Sequence, residues 1–158
     1  MPFFSFLNQP VQPTRFIPGS FTLATLPAAT DNTQMYAWAT DLHDGNPDYV
    51  ISNGLSWKPV RPLSANVVAN GNQNMTFTCM QNSPTQIIRG TLSAIRTLSF
   101  VDTYAYSGAR LRIKREATGL LTLNILAAVT TSLSASSWAD FEFVPGQGWV
   151  QTASGGLL

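Results

Sequence analysis

Ala109-Arg110-Leu111-Arg112-Ile113-Lys114 alternates strictly: Ala109, Leu111 and Ile113 fall on one side, Arg110, Arg112 and Lys114 on the other. A period of two with one apolar and one charged face is the pattern of a β-strand in a sheet that is dry on one side and wet on the other. Working outward, Glu116-Ala117-Thr118-Gly119 has turn chemistry, and Leu121, Leu123 and Ile125 then repeat the inward phase, so the pattern predicts a hairpin. Ala139-Asp140-Phe141-Glu142-Phe143-Val144 resumes the alternation, and Pro145-Gly146-Gln147-Gly148 leads into Trp149-Val150-Gln151-Thr152, a second hairpin. A helix over Leu120 to Ser136 competes, since Leu120, Leu123 and Ala127 also fall at helical spacing. Thr122, Val129, Thr130, Thr131 and Ser132 count against it, because branched and hydroxyl side chains lose freedom or divert backbone bonds in a helix.

The chain has 158 residues, 44% of them hydrophobic, enough for one domain with a core. Charged residues make up only 11%, well under the usual quarter, and such uncharged polar surfaces suit proteins packed into assemblies. The net charge of +1 supplies no field to draw the chain to nucleic acid. No apolar run is long enough for a membrane span, and Met1 to Gln9 carries no basic leader, so a chain made and used in the cytosol, or carried out in a particle, is expected. Cys79 is the one cysteine; it falls on the apolar face of Met75-Thr76-Phe77-Thr78-Cys79 and reads as a buried filler.

Met1 to Ser20 holds Pro2, Pro10, Pro13 and Pro18 among Phe3, Phe4, Phe6, Phe16 and Ile17. Proline disfavours helix and central strand, leaving an extended arm whose apolar side chains need cover, either from a partner or from the chain's own core. Phe3, Phe4, Phe6, Phe16 and Ile17 are therefore the candidate partner-binding residues. Farther on, Phe21 to Leu26 and Met35 to Leu42 read as strands, Tyr49 to Val60 as a hairpin about Asn53-Gly54, and Arg61 to Asn74 as a long loop. Short strands follow at Met75 to Met80 and Gln86 to Arg89. In Leu92 to Val101, Arg96 falls in phase with Leu98 and Phe100, so either a bulge shifts the register or Arg96 points into an interface. These elements predict an all-β protein: a single antiparallel β-sandwich or jelly-roll-like domain over residues 21–158, preceded by an arm over residues 1–20.

Little in the sequence speaks for chemistry. His43 is the only histidine, and Asp41, Asp44 and Asp48 around it form at most a weak cation site, since acidic loop residues more often cap turns. Asp140 and Glu142 share a strand face opposite Arg110 and Arg112, which reads as cross-strand pairing before it reads as carboxylate catalysis. No catalytic residue, metal ligand or cofactor is assigned.

Two stretches carry a resemblance. Ala24-Thr25-Leu26-Pro27-Ala28-Ala29 leads to Tyr36-Ala37-Trp38-Ala39-Thr40-Asp41 and on to Tyr49-Val50-Ile51-Ser52-Asn53-Gly54-Leu55-Ser56-Trp57. Tyr106-Ser107-Gly108 runs through Arg110 to Gly119, then Leu121 to Ile125, Trp138 and Trp149. On these the chain resembles small structural proteins, of decoration or fibre type, of tailed-bacteriophage virions. The resemblance implies an oligomeric virion component without a catalytic site. Its partners would be itself, as a homo-oligomer such as a trimer, and the major capsid or other virion proteins, with no nucleic acid and no membrane. It would be made in the host bacterial cytoplasm and located in the virion. The lack of a heptad shaft favours a capsid decoration or cement protein. The alternative is a tail-fibre or host-receptor module touching surface glycans through Tyr36, Trp38 or Trp57.

Overall fold

The Arg110–Arg115 strand forms where the alternation places it, yet its neighbours are not those a hairpin would supply. The computed structural model describes residues 15–61, 65–116 and 118–157. In chain order the strands are β1 (Arg15–Phe21), β2 (Met35–Ala39), β3 (Asp48–Ser52), β4 (Trp57–Pro59), β5 (Ala65–Val68), β6 (Met75–Thr78), β7 (Thr85–Ile88), β8 (Arg96–Val101), β9 (Arg110–Arg115), β10 (Leu123–Leu126), β11 (Thr131–Leu133), β12 (Ser137–Val144) and β13 (Gly148–Gly156). Two 3-10 turns, Leu23–Thr25 and Ala29–Asn32, are the helical elements among the described residues.

From β5 to β10 the chain winds as a β-solenoid. Strands β5, β7 and β9 stack in parallel in one sheet, while β6, β8 and β10 stack in parallel in a second. Each coil gives one strand to each sheet, so parallel neighbours are separated by a full turn of chain, as Thr85 is from Arg112. The predicted single antiparallel sandwich or jelly roll is therefore incorrect, and so is the hairpin between Ala109–Lys114 and Leu121–Ile125. Leu123–Leu126 pairs in parallel with β8, and Glu116, Thr118 and Gly119 lie between strands of two different sheets. The cause is physical: alternation fixes which side chains face the core, and a coil and a hairpin place the same residues inward. Residues 61–74, read as one long loop, contain β5, and Phe21 to Leu26 is the end of β1 followed by a 3-10 turn.

The corners show how the coils stack. Gly71 N–H donates to Arg89 O at 2.7 Å, and a Cβ on Gly71 would lie 2.2 Å from Cγ2 of Ile88 in the next coil, so only glycine fits that bend. Asn72 Oδ1 accepts from Ser93 N at 3.0 Å and Arg96 Nε at 3.0 Å. This is where the in-phase Arg96 finds its partner, and no register shift interrupts β8. On the third coil, Thr118 Oγ1 lies 3.1 Å from Thr91 Oγ1, and Arg89 pairs with Glu116 at 2.8 Å. The antiparallel strands β11 and β12 then reverse the chain against β10 and β9, and β13 adds to β12 as the second predicted hairpin. The sheet β1–β4 contains the Asn53-Gly54 hairpin and lies alongside the turns that leave β6 and β8.

One core runs through all of this, including Ala37, Val50, Trp57, Phe77, Leu98, Ile113, Leu123, Phe141 and Trp149. Gln86 and Arg115 are the largest polar side chains wholly inside among the described residues. Gln86 accepts from Asn66 Nδ2 at 3.1 Å and donates to Ser83 O at 2.9 Å. Arg115 donates Nη1–H to Leu133 O at 2.7 Å, while its Nε and Nη2 have no partner among the described residues, and burial pushes its pKa down.

Substitutions should separate these layers. Ile113→Ala removes a fully buried side chain shared by neighbouring strands and should lower unfolding free energy by about 2–5 kcal/mol in urea melts. Arg110→Ala breaks an exposed pair with Glu142 and should cost under about 1 kcal/mol. Equal costs would refute the assigned facing of this strand.

Candidate functional site

The β2 sequence Met35-Tyr36-Ala37-Trp38-Ala39 is apolar in both phases, and the fold divides it by size. Ala37 and Ala39 are fully buried, so the core approaches the backbone closely there, while Tyr36 and Trp38 face outward. Cross-strand register sets Tyr36 beside Phe16 of β1 and Trp38 beside Tyr49 of β3. The result is an aromatic cluster on the outer face of the sheet. Ring centroids are 4.7 Å apart for Trp38 and Tyr49, 5.5 Å for Phe16 and Tyr36, and 5.6 Å for Phe16 and Tyr49. Phe16 remains 53% exposed and Tyr49 39%, so the cluster is an open surface. Its edge strand β1 slips register between Phe16 and Ser20, the stretch that contains Pro18, which has no N–H to give the ladder.

Of the candidate partner-binding residues, Phe16 belongs to this cluster and Ile17 packs, half-buried, against the core. Phe3, Phe4 and Phe6 lie outside the described residues. Trp57, named with Tyr36 and Trp38 as an exposed ring, is buried and donates Nε1–H to Pro27 O at 2.8 Å, which removes it from any surface role. Tyr49 was missed as a partner of these rings. Its signal was available in the alternation Asp48-Tyr49-Val50-Ile51-Ser52, whose aromatic falls opposite in phase to the buried Val50.

The acidic residues near His43 do not converge. Asp41 accepts from Leu23 N at 2.7 Å, and Asp48 accepts from Tyr49 N at 2.7 Å and from Arg61 at 2.8 Å. Asp44 accepts from Asn82 Nδ2 at 2.9 Å and Ser83 N at 2.9 Å, tying this turn to the first solenoid turn. Burial works against the charge of Asp44 and Asp48, but these hydrogen bonds prevail and hold both carboxyls below the usual range. Among the described residues no group of three or more His, Cys, Asp or Glu side chains is placed to hold a metal ion.

His43 itself is only 3% exposed, and both ring nitrogens lack a hydrogen-bond partner among the described residues. Its backbone is left-handed, with φ 47°, and its N–H donates to Met80 O at 2.8 Å. Cys79, beside it on the same cavity, is buried as expected, and burial pushes its thiol up to about 12, which keeps it protonated and poorly nucleophilic. Arg112 pairs with Asp140 through two bonds of 2.5 and 2.6 Å, and Arg110 pairs with Glu142 at 3.2 Å, so this polar face is braced across strands.

No family model and no curated protein matches this chain. Among solved structures it is similar to one described as "Structure of a chaperone-substrate complex", at 15% identity over 74% of this chain and 24% of that one, with a TM-score of 0.42. The chain thus spans about a quarter of that protein's length, and a likeness this low carries no argument for fold or function.

Burial lowers the His43 pKa below its ordinary 6.5, so the unfolded chain binds the proton first as pH falls. The stability held by neutral His43 is complete above pH 6.5 and declines as pH drops toward the lower folded value. His43→Asn should remove that slope, because asparagine tolerates the left-handed backbone and there is no other histidine in the chain. Urea midpoints compared between pH 7.5 and 5 test this; an unchanged slope in the variant would assign it elsewhere.

Proposed function

We propose that the chain is a virion structural protein that decorates a particle, docking on neighbouring subunits through the aromatic face of β1–β3. The observation that carries this reading is the outward cluster of Phe16, Tyr36, Trp38 and Tyr49, set on strands whose opposite face is locked into the core. Rigid aromatics bury much area at small entropic cost, which is why such residues dominate protein contacts. The sparse charge of the surrounding surface lowers the desolvation cost of covering it. The decoration role itself comes from the resemblance described above, and the work required is mechanical: apolar area buried between subunits holds them together.

A second reading uses the same face as a glycan-binding module of a fibre. The favouring observation is that Tyr36 and Trp38 remain partly open beside the exposed Tyr49, so ring faces are offered to a sugar.

The deciding experiment is co-sedimentation of the full chain with undecorated capsids, run beside a glycan array. Phe16→Ala combined with Tyr49→Ala should weaken capsid binding about 30- to 100-fold, equivalent to about 2–3 kcal/mol, with little change in melting temperature because both rings are exposed. Saturable glycan binding lost in the same variant, with no capsid binding, would establish the second reading. Neither activity would sink both.

A further inference from the structure

A cavity of about 380 Å³ opens between the end of β4, the His43 turn, the turn after β6 and the start of β9. Its size is within the range of sites that hold small organic molecules. Most of its wall is apolar, with Pro59, Pro84, Tyr106 and Leu111 among the lining residues. Its charged lining residues are two arginines whose carboxylate partners, Asp48 and Glu142, are not part of the lining. Arg61 and Arg110 line it and no carboxylate does, and Lys58 Nζ sits 5.1 Å from the centroid of the Tyr106 ring. Arg61 spends Nε and Nη2 on Asp48, and Arg110 spends Nε on Glu142, leaving Nη1 of Arg61 and both Nη groups of Arg110 without partners among the described residues. Both side chains are well exposed, at 67% and 81%. His43 also lines the cavity, the buried imidazole without a hydrogen-bond partner described above. The adjoining groove over Arg112 shares Arg110 and Leu111 but has Asp140 and Glu142 in its own lining, so its guanidinium groups meet their carboxylates within it.

We propose that this cavity binds a small organic acid with a flat apolar body. The carboxylate meets the free guanidinium N–H groups of Arg61 and Arg110 at the mouth, where planar donors match a carboxylate's geometry. The apolar body lies along Tyr106 and Leu111, beside the buried His43 ring. Both halves of the ligand follow from the lining: the guanidinium N–H groups left over from the Asp48 and Glu142 pairs match a strong planar acceptor, and the predominantly apolar wall favours an organic body over a bare inorganic ion. The inference does not rest on a role in virions.

The test is titration of the full chain with 2-naphthoate and, separately, with the neutral 2-naphthamide, followed by calorimetry and by amide and histidine-ring NMR shifts. Naphthoate should bind saturably, move the resonances of Tyr106 to Leu111 and of the His43 ring, and bind at least about tenfold more tightly than the amide. Arg110→Gln should weaken naphthoate about tenfold while leaving the urea midpoint in place, and Arg110→Lys should restore part of the loss. Val60→Trp, at an exposed lining position, should block binding of both compounds. Equal affinity for acid and amide, indifference to Arg110→Gln, shifts confined to the aromatic face of β1–β3, or no saturable binding would each overturn the proposal.

Discussion

Parallel stacking puts every inward side chain of one coil directly against that of the next, and the rest of the molecule depends on those rows matching. Met75, Leu98 and Ile125 form one such row, while Asn66, Gln86, Ile113 and Ala139 form another that begins polar and ends apolar. An amide in a row is tolerable only when a neighbour completes its bonds, and Gln86 has Asn66 on one side and Ser83 O on the other. The same constraint operates at the corners, where Gly71 must be glycine because Ile88 of the next coil occupies the space of its Cβ. Arg115 is the costly member: fully buried, it is held by one carbonyl in a row otherwise continued by Ile88 and Ser137.

The second dependence is the join between the β1–β4 sheet and the coils. Asp44 accepts bonds from Asn82 and Ser83, and His43 N–H reaches Met80 O, so two successive residues in the left-handed region present their polar groups to one solenoid turn. Left-handed backbone at residues other than glycine costs energy and persists where surrounding contacts fix it. Here the contacts are carboxylate–amide bonds, which are strong for their exposure, and the apolar packing of Leu42 and Met80 on either side. The cavity beside His43 is a consequence of this join, since it lies where the sheet, the turn and the coils meet.

Strand faces were legible in the sequence wherever alternation was strict: Leu111, Ile113, Leu123, Ile125, Ala139 and Phe141 all point inward as their phase requires. Two hairpins were legible because glycine turns of a few residues join their strands directly. Pairing between coils was not, because nothing local in Glu116–Gly119 distinguishes a corner from a hairpin turn; the distinction lies in Ile88 and Thr91 of the preceding coil. Arg96 was a visible anomaly whose explanation, Asn72, lay in another coil's corner. The open aromatic face was half legible: Tyr36 and Trp38 were noted, but Trp57 was grouped with them for want of knowing that Pro27 O would take its indole N–H.

The two candidate surfaces divide the labour that the sequence composition allows. A chain with few charges cannot spread electrostatic recognition widely, and four of its nine Lys and Arg side chains are matched to carboxylates: Arg61 with Asp48, Arg89 with Glu116, Arg110 with Glu142, Arg112 with Asp140. Broad contact therefore falls to the aromatic face, where area and shape act without charge. Selectivity for a charged small molecule falls to the described cavity whose arginines, Arg61 and Arg110, keep N–H groups beyond those their carboxylates take. The two features meet at the β3–β4 edge of the first sheet. The rings project from its outer face, and Val60, which lines the cavity, donates its N–H to Tyr49 O at 3.0 Å. A protein covering Tyr49 therefore lies one strand from Val60, so the aromatic face and the cavity share a border at the β3–β4 edge.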